Sequence, residues 1–248
     1  MILKNLLFRR ARTLLTVFGI AVGVAAVVAL GALADGFVAG YGTLSRGSDA
    51  DVLVMQDDAL DIVFSAVDQQ VGQTLATFSE IEDLSEMVYT FAATDATPYF
   101  IVYGYDPDGF AVRHFKIVEG APLSRRAVQR GGKPLLLGKT AADDLDKRVG
   151  DTMRLYESTH RIVGIYETGQ PFEDGAAVVL LEDAQAINGK PRQVNAFLLK
   201  VREGTDVSRL QTRIEQRFAR SGDPLTVTTA ADFEEEQDML QYLRAFTW

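Results

Sequence analysis

Cysteine is absent from this chain of 248 residues. Disulfides and thiolate metal sites are thereby excluded, and an oxidising compartment is permitted without being implied. Histidine occurs only as His114 and His160, which leaves little imidazole for metal binding or general-base chemistry. Acidic residues are missing from the first 34 positions, where Lys4, Arg9, Arg10 and Arg12 all lie. The whole chain nevertheless carries a net charge of −9, so the remainder is more acidic than that figure. A body of that sign repels a phosphate backbone, which argues against nucleic-acid binding; its plainer consequence is solubility. HExxH, GxSxG and EF-hand patterns are also missing.

What the sequence does contain is one long apolar run. Thr13 to Ala34 reads TLLTVFGIAVGVAAVVALGALA without a charge. As a helix it would be about 33 Å long, enough for a hydrocarbon layer of about 30 Å. Basic residues precede it and Asp35 follows, so the positive-inside rule places Met1 in the cytoplasm and the body outside it. Two other readings exist. Ala32-Leu33-Ala34 has the form of a signal-peptide cleavage site, although the run exceeds the usual apolar region of such peptides. A buried core helix is disfavoured by the uninterrupted length.

Gly19 and Gly23 form a GxxxG, and Ala21, Ala25 and Ala29 make a second row of small residues four apart. Such rows allow close helix packing in lipid, although simple composition can also produce them. Met1 to Arg12 can form an amphipathic helix at the cytoplasmic interface, with Lys4, Arg9, Arg10 and Arg12 as the candidate contact residues; the same charges serve equally as topology signals.

Beyond the span the pattern alternates. Strands are expected at Val52–Met55, Met87–Ala93, Tyr99–Tyr105, Leu135–Leu137, Thr152–Tyr156, Arg161–Tyr166, Ala177–Leu181, Asn195–Val201 and Leu225–Thr228. Helical spacing marks Val63–Phe78, Lys139–Leu145, Glu182–Ile187 and Val207–Phe218, with Asn188-Gly189 as a stop signal. A β-α-β-β start and a β-α-β finish around a β-rich insert make a split βαβ, ferredoxin-like pattern, so the fold class expected is α+β. Asp232 to Trp248 begins acidic and ends apolar and aromatic. It reads either as the approach to a second span or as a terminal helix on the body.

Gly138-Lys139-Thr140 has the ending of a P-loop, but Lys133 stands where the first glycine is required, and a strand fills the loop's place. Adjacent Asp143 and Asp144 would point about 100° apart on a helix and cannot share a site by themselves. Each histidine reads as a surface or half-buried side chain rather than a base. No catalytic, cofactor-binding or metal residue is therefore assigned.

Several segments together resemble the MacB/FtsX-type permease family of ABC transporters. They are Lys4-Asn5-Leu6-Leu7-Phe8-Arg9-Arg10 leading into Leu14 to Gly23, then Asp51-Val52-Leu53-Val54 and Val102 to Pro107. Leu136-Leu137-Gly138-Lys139-Thr140-Ala141-Ala142, Val149-Gly150-Asp151-Thr152, Arg161 to Tyr166 and Ala177 to Leu180 complete the set. The resemblance implies a permease subunit that relays ATP-driven motion of a cytoplasmic ABC ATPase to an extracytoplasmic domain acting on a substrate or partner. It implies a second permease copy, and ATP and magnesium held by the ATPase rather than by this chain. It also implies three later spans that this sequence does not contain, so the chain is expected to be an N-terminal portion of a permease or a reduced relative. A secreted or singly anchored binding protein without an ATPase is the alternative.

The expected organisation is a cytoplasmic segment at residues 1–12, a membrane helix at 13–34, a connector at 35–48 and a tail at 232–248. Between them lies a core domain, 49–231, porter-like at 49–117 and 193–231 with a β-rich insert at 118–192. The expected setting is the cell (inner) membrane, with lipid and an extracytoplasmic protein or substrate as further partners and no nucleic acid.

Overall fold

A computed structural model describes residues 10–47, 50–57, 59, 62–126 and 132–229; Lys4, Arg9 and the Asp232–Trp248 tail lie outside them. The chain divides into two units, residues 1–41 and 42–248. The first is built on helix α1, Arg10–Gly47, which runs without a break past the end of the apolar stretch at Ala34. Gly36, Gly40 and Gly42 are tolerated within it, although each weakens an isolated helix by about 1 kcal/mol relative to alanine.

The second unit is organised on one ten-stranded sheet. Four strands form its ferredoxin-like part: β1 (Val52–Gln56), β3 (Ile81–Ala92), β11 (Ala196–Val201) and β12 (Leu225–Thr229). They lie in the order β12-β1-β11-β3, with every neighbouring pair antiparallel, the arrangement that a split βαβ pattern generates. Helix α2 (Val71–Leu75) precedes β3, and α6 (Val207–Ala219) connects β11 to β12. Asp206 caps α6 by accepting from the Arg209 N–H at 3.0 Å. Its Leu210, Ile214 and Phe218 are buried, as the apolar spacing predicts.

The chain between β3 and β11 extends the same sheet. β4 (Phe100–Tyr105) pairs with β3, followed in space by β9 (Ala177–Leu180), β6 (Lys133–Gly138), β8 (Ser158–Glu167) and the edge strand β5 (Lys116–Gly120), while β7 (Thr152–Leu155) forms a hairpin with β8. Short helices α3 (Lys139–Asp144), α4 (Pro171–Asp174) and α5 (Leu181–Asn188) link these strands. Gly189, at φ 68°, ends α5 in the left-handed conformation that the Asn188-Gly189 stop signal anticipates. β6 and β9 are buried almost throughout, and their continuous apolar sequence follows from having both faces covered.

Register fixes how β3 serves both parts. Ile81 to Met87 pairs with β11, whereas Met87 to Ala92 pairs with β4, and among the described residues Met87 alone has a strand register partner on both sides. One face of the sheet carries the main core, including Val88, Val102, Leu135, Leu137, Val179 and Phe197. Burying each such side chain contributes about 1.5–3 kcal/mol. On β3 and β4 the alternate positions carry Tyr89, Tyr103 and Tyr105. Tyr89 and Tyr103 meet edge-to-face at 5.2 Å, and Phe115 meets Tyr166 in the same way at 4.9 Å.

The helix expected over Val63–Phe78 is not formed as such. Residues 62–66 turn, β2 (Val67–Asp68) pairs with β10 (Gln193–Val194), and only α2 is helical. Val67 and Leu75 are both buried, but from different elements, so an i, i+4 apolar spacing arises across a strand, a turn and a helix. Asp68 closes the turn by accepting from the Gln70 N–H at 2.7 Å.

Candidate functional site

Two places in the chain carry features beyond packing. The first is α1. Leu14–Ala32 has a mean hydropathy of 2.5, and every side chain described along it is exposed. Leu15 is 71% and Phe18 68% exposed, while the apolar residues of the body are mostly sequestered. A helix that is apolar on all sides suits an apolar solvent, and this one is long and apolar enough to cross a bilayer. At Gly19 and Gly23 a Cβ would meet no described atom within 4 Å beyond the neighbouring residues and backbone of its own helix. Ala21, Ala25 and Ala29 are out of phase with these glycines by two residues, about 200° around the helix, so the two small rows occupy opposite sides. Arg10 and Arg12 fall in the first turn of α1.

The second place is the covered end of the inserted strands. His114 ends a 3-10 turn, Ala111–His114, and its Nε2 lies 2.7 Å from Oε2 of Glu173 on α4. Glu173 is buried, and the Tyr166 hydroxyl donates to its backbone carbonyl at 2.6 Å. Burial, with the Glu173 charge second, pushes the Tyr166 hydroxyl well above its ordinary range. Neighbouring Asp174 accepts from the Thr168 and Gly169 N–H groups at 2.7 and 3.1 Å, fixing the β8–α4 turn. Phe115 and Tyr166 wall the pair, and among the described residues no Ser, Thr or Lys side chain is hydrogen-bonded to it. It joins α4 to the turn before β5.

The same corner explains the P-loop-like residues. A Cβ on Gly138 would lie 2.3 Å from the Asp174 carbonyl oxygen, so the 173–174 backbone occupies the space a phosphate would need. The glycine serves that close approach, and Lys139 pairs with Glu167 at 3.1 Å. His160 departs from the expected surface or half-buried position: it is wholly buried on β8, because register sets it opposite Lys133 on β6 and Met153 on β7. Burial lowers its basicity, partly offset by the Asp183 charge. Among the described residues no group of three or more His, Cys, Asp or Glu could hold a metal.

Sequence reasoning did not single out the His114–Glu173 pair. The two residues are 59 apart, and only the β5–β8 pairing closes that distance. It also passed over a hub at Asn195, which is wholly buried just before β11. Its Nδ2 donates to the carbonyls of Ile62, Val63 and Ser65 at 2.8 to 3.0 Å.

The comparisons agree with this architecture. Residues 13–217 match the family model described as the MacB-like periplasmic core domain. The periplasmic region of MacB from Actinobacillus actinomycetemcomitans superposes with a TM-score of 0.61 at 11% identity, covering 78% of this chain and 95% of that one. The extracellular domain of the noncanonic ABC-type transporter YknZ from Gram-positive bacteria gives 0.55 at 10% identity, over 73% and 99% of the two chains. No curated protein sequence matches. The match begins inside the apolar helix and runs through the body, and on that ground the chain belongs to the MacB-like periplasmic core domain family, of the MacB/FtsX-type ABC transporter permeases.

Proposed function

We propose that the chain is a permease subunit, or the N-terminal portion of one, that passes ATP-driven motion of a cytoplasmic ABC ATPase to a body acting outside the cytoplasm on a substrate or partner. The observation that carries this reading is the extent of the family match, which takes the apolar helix and the sheet domain as one module. Topology supports it. Val52, where the chain enters the sheet, and Thr229, the last described residue of β12, are register partners on adjacent strands. Entry and exit are thus at one end of the sheet, as a domain driven from its attachment requires.

In this reading α1 spans the cell membrane with Met1 inside. Lys4, Arg9, Arg10 and Arg12 meet the ATPase or anionic lipid headgroups on the cytoplasmic side. The Gly19/Gly23 row and the Ala21/Ala25/Ala29 row on its other side are the packing surfaces for a second permease copy and for further spans. ATP and magnesium are bound by the ATPase, and this chain contributes no catalytic group. The core domain comprises a porter-like part, 49–117 with 193–231, and an insert, 118–192.

Co-purification tests the coupling. The full chain, expressed with its candidate ATPase and extracted in mild detergent, should bring the ATPase with it, and reversing the charges of Arg9, Arg10 and Arg12 should weaken recovery. An ATPase recovered equally with the charge-reversed chain would overturn the assignment. The lack of cysteine permits a direct test of orientation. A single cysteine at exposed Asp95 should react with a membrane-impermeant maleimide in intact cells; labelling only after permeabilisation would place the body inside.

A further inference from the structure

An arginine-lined cleft lies between the turn that follows α2 and the outer face of α6. Thr77, Phe78, Arg213, Gln216, Arg217 and Arg220 line an open concavity of about 340 Å³. The helix sequence creates it. Arg209, Arg213, Arg217 and Arg220 recur at spacings of four, four and three, which confines them to an arc of about 80° beside the buried Leu210-Ile214-Phe218 stripe. Three of the four reach the cleft.

Charge at this point is only partly compensated. Arg213 pairs with Glu80 and sits 5.3 Å from the Phe78 ring centroid, which fixes it at the rim. Arg209 is drawn toward Asp206, 3.9 Å away. Glu215, the acid of α6 itself, is turned to the sheet, where it accepts from the Val227 N–H. Arg217 and Arg220 meet no carboxylate among the described residues. An otherwise acidic protein thus presents, among the described residues, two guanidinium groups without a carboxylate partner into one concavity, with Gln216 beside them. The Thr77 hydroxyl is committed to the Thr74 carbonyl at 2.6 Å, so the donors facing a ligand are the guanidinium groups and the amide.

We infer that this cleft binds a phosphate-bearing group, held by Arg217 and Arg220 with Arg213 and Gln216 at its edge. Planar guanidinium forks match phosphate oxygens two at a time, and two uncompensated charges favour a phosphate over a single carboxylate. The group is either a soluble phosphate compound or a phospholipid headgroup. The inference is independent of coupling to an ATPase.

The test uses the full chain in nanodiscs, with pyrophosphate as the soluble probe and cardiolipin as the lipid probe. R217Q/R220Q removes the proposed ligands. R148Q/R154Q removes equal charge elsewhere on the exposed surface. In phosphatidylcholine discs, calorimetry should show saturable pyrophosphate binding that weakens about tenfold or more in R217Q/R220Q and not in R148Q/R154Q. If the headgroup is the ligand, hydrogen exchange over residues 207–220 should instead slow on moving from phosphatidylcholine to equimolar phosphatidylcholine–cardiolipin discs, with the protection lost only in R217Q/R220Q. Either result supports the site and names its source. Absence of both effects, or equal effects of the two double variants, overturns it.

Discussion

The backbone N–H of Tyr89 donates to Oδ1 of Asn195 at 2.9 Å, joining positions 106 residues apart. With the three carbonyls that receive its Nδ2, this one side chain seals the 62–66 turn against β3. Replacing Asn195 by alanine removes these four hydrogen bonds from the turn and β3 at once. We expect Asn195→Ala to destabilise the body by about 2–4 kcal/mol, read as a lower midpoint in chemical denaturation. A midpoint unchanged from the parent would show that the turn does not depend on this side chain.

Gly104 on β4 faces α5, where an added Cβ would stand 2.2 Å from that of Ala184. Gly104→Ala should cost about 1–3 kcal/mol through overpacking. Adding Ala184→Gly should recover part of the loss, although glycine within a helix itself costs about 1 kcal/mol. A double-mutant cycle in the same denaturation assay measures the coupling; strictly additive losses would place the strain elsewhere.

His160 gives the body a specific acid sensitivity. Burial first, and the Lys133 charge as a lesser contribution, hold its folded-state basicity below the ordinary value, against the opposing pull of Asp183 and the Ser158 carbonyl. The folded state therefore resists protonation that the unfolded chain accepts below about pH 6.5. The stabilising effect of the neutral ring is complete above that pH and is lost as pH falls through the interval beneath it. Stability measured between pH 7 and 5 should decline less in His160→Gln than in the parent; parallel curves would remove His160 as the cause.

The span should fail when charged at its middle. Val24 lies near the centre of Leu14–Ala32. Val24→Arg adds about 2.5–3.5 kcal/mol to insertion. Alkaline carbonate should leave the parent chain in the membrane pellet and release more of the variant. Equal retention of both would argue against a spanning helix.

Much of the fold was legible in the sequence where local pattern and tertiary role coincide. β6 and β9 are short apolar runs because both faces are covered, and α6 keeps a helical stripe because one face is. The pattern fails where distant groups decide. Residues 62–66 turn because Asn195, about 130 positions later, binds their carbonyls. β5 exposes most of its residues and gives no apolar signal, yet it pairs with β8 along an edge. The apolar span announces itself because lipid selects composition directly. The α6 arginines are spaced visibly in the sequence, but a row of charges on a helix is ordinarily a solvated face. Only the approach of Thr77 and Phe78 makes it a cleft.

The stagger at Met87 has a mechanical meaning. Because β3 bonds to β11 along its first half and to β4 along its second, the two half-sheets are joined in series by a single covalent rod about 36–40 Å long. A displacement delivered at the Ile81 end, the end where the chain enters and leaves the sheet, would pass to the β4 side along the β3 backbone as well as through the shared core. Under the proposed coupling, the inserted strands would form the far arm of that connection.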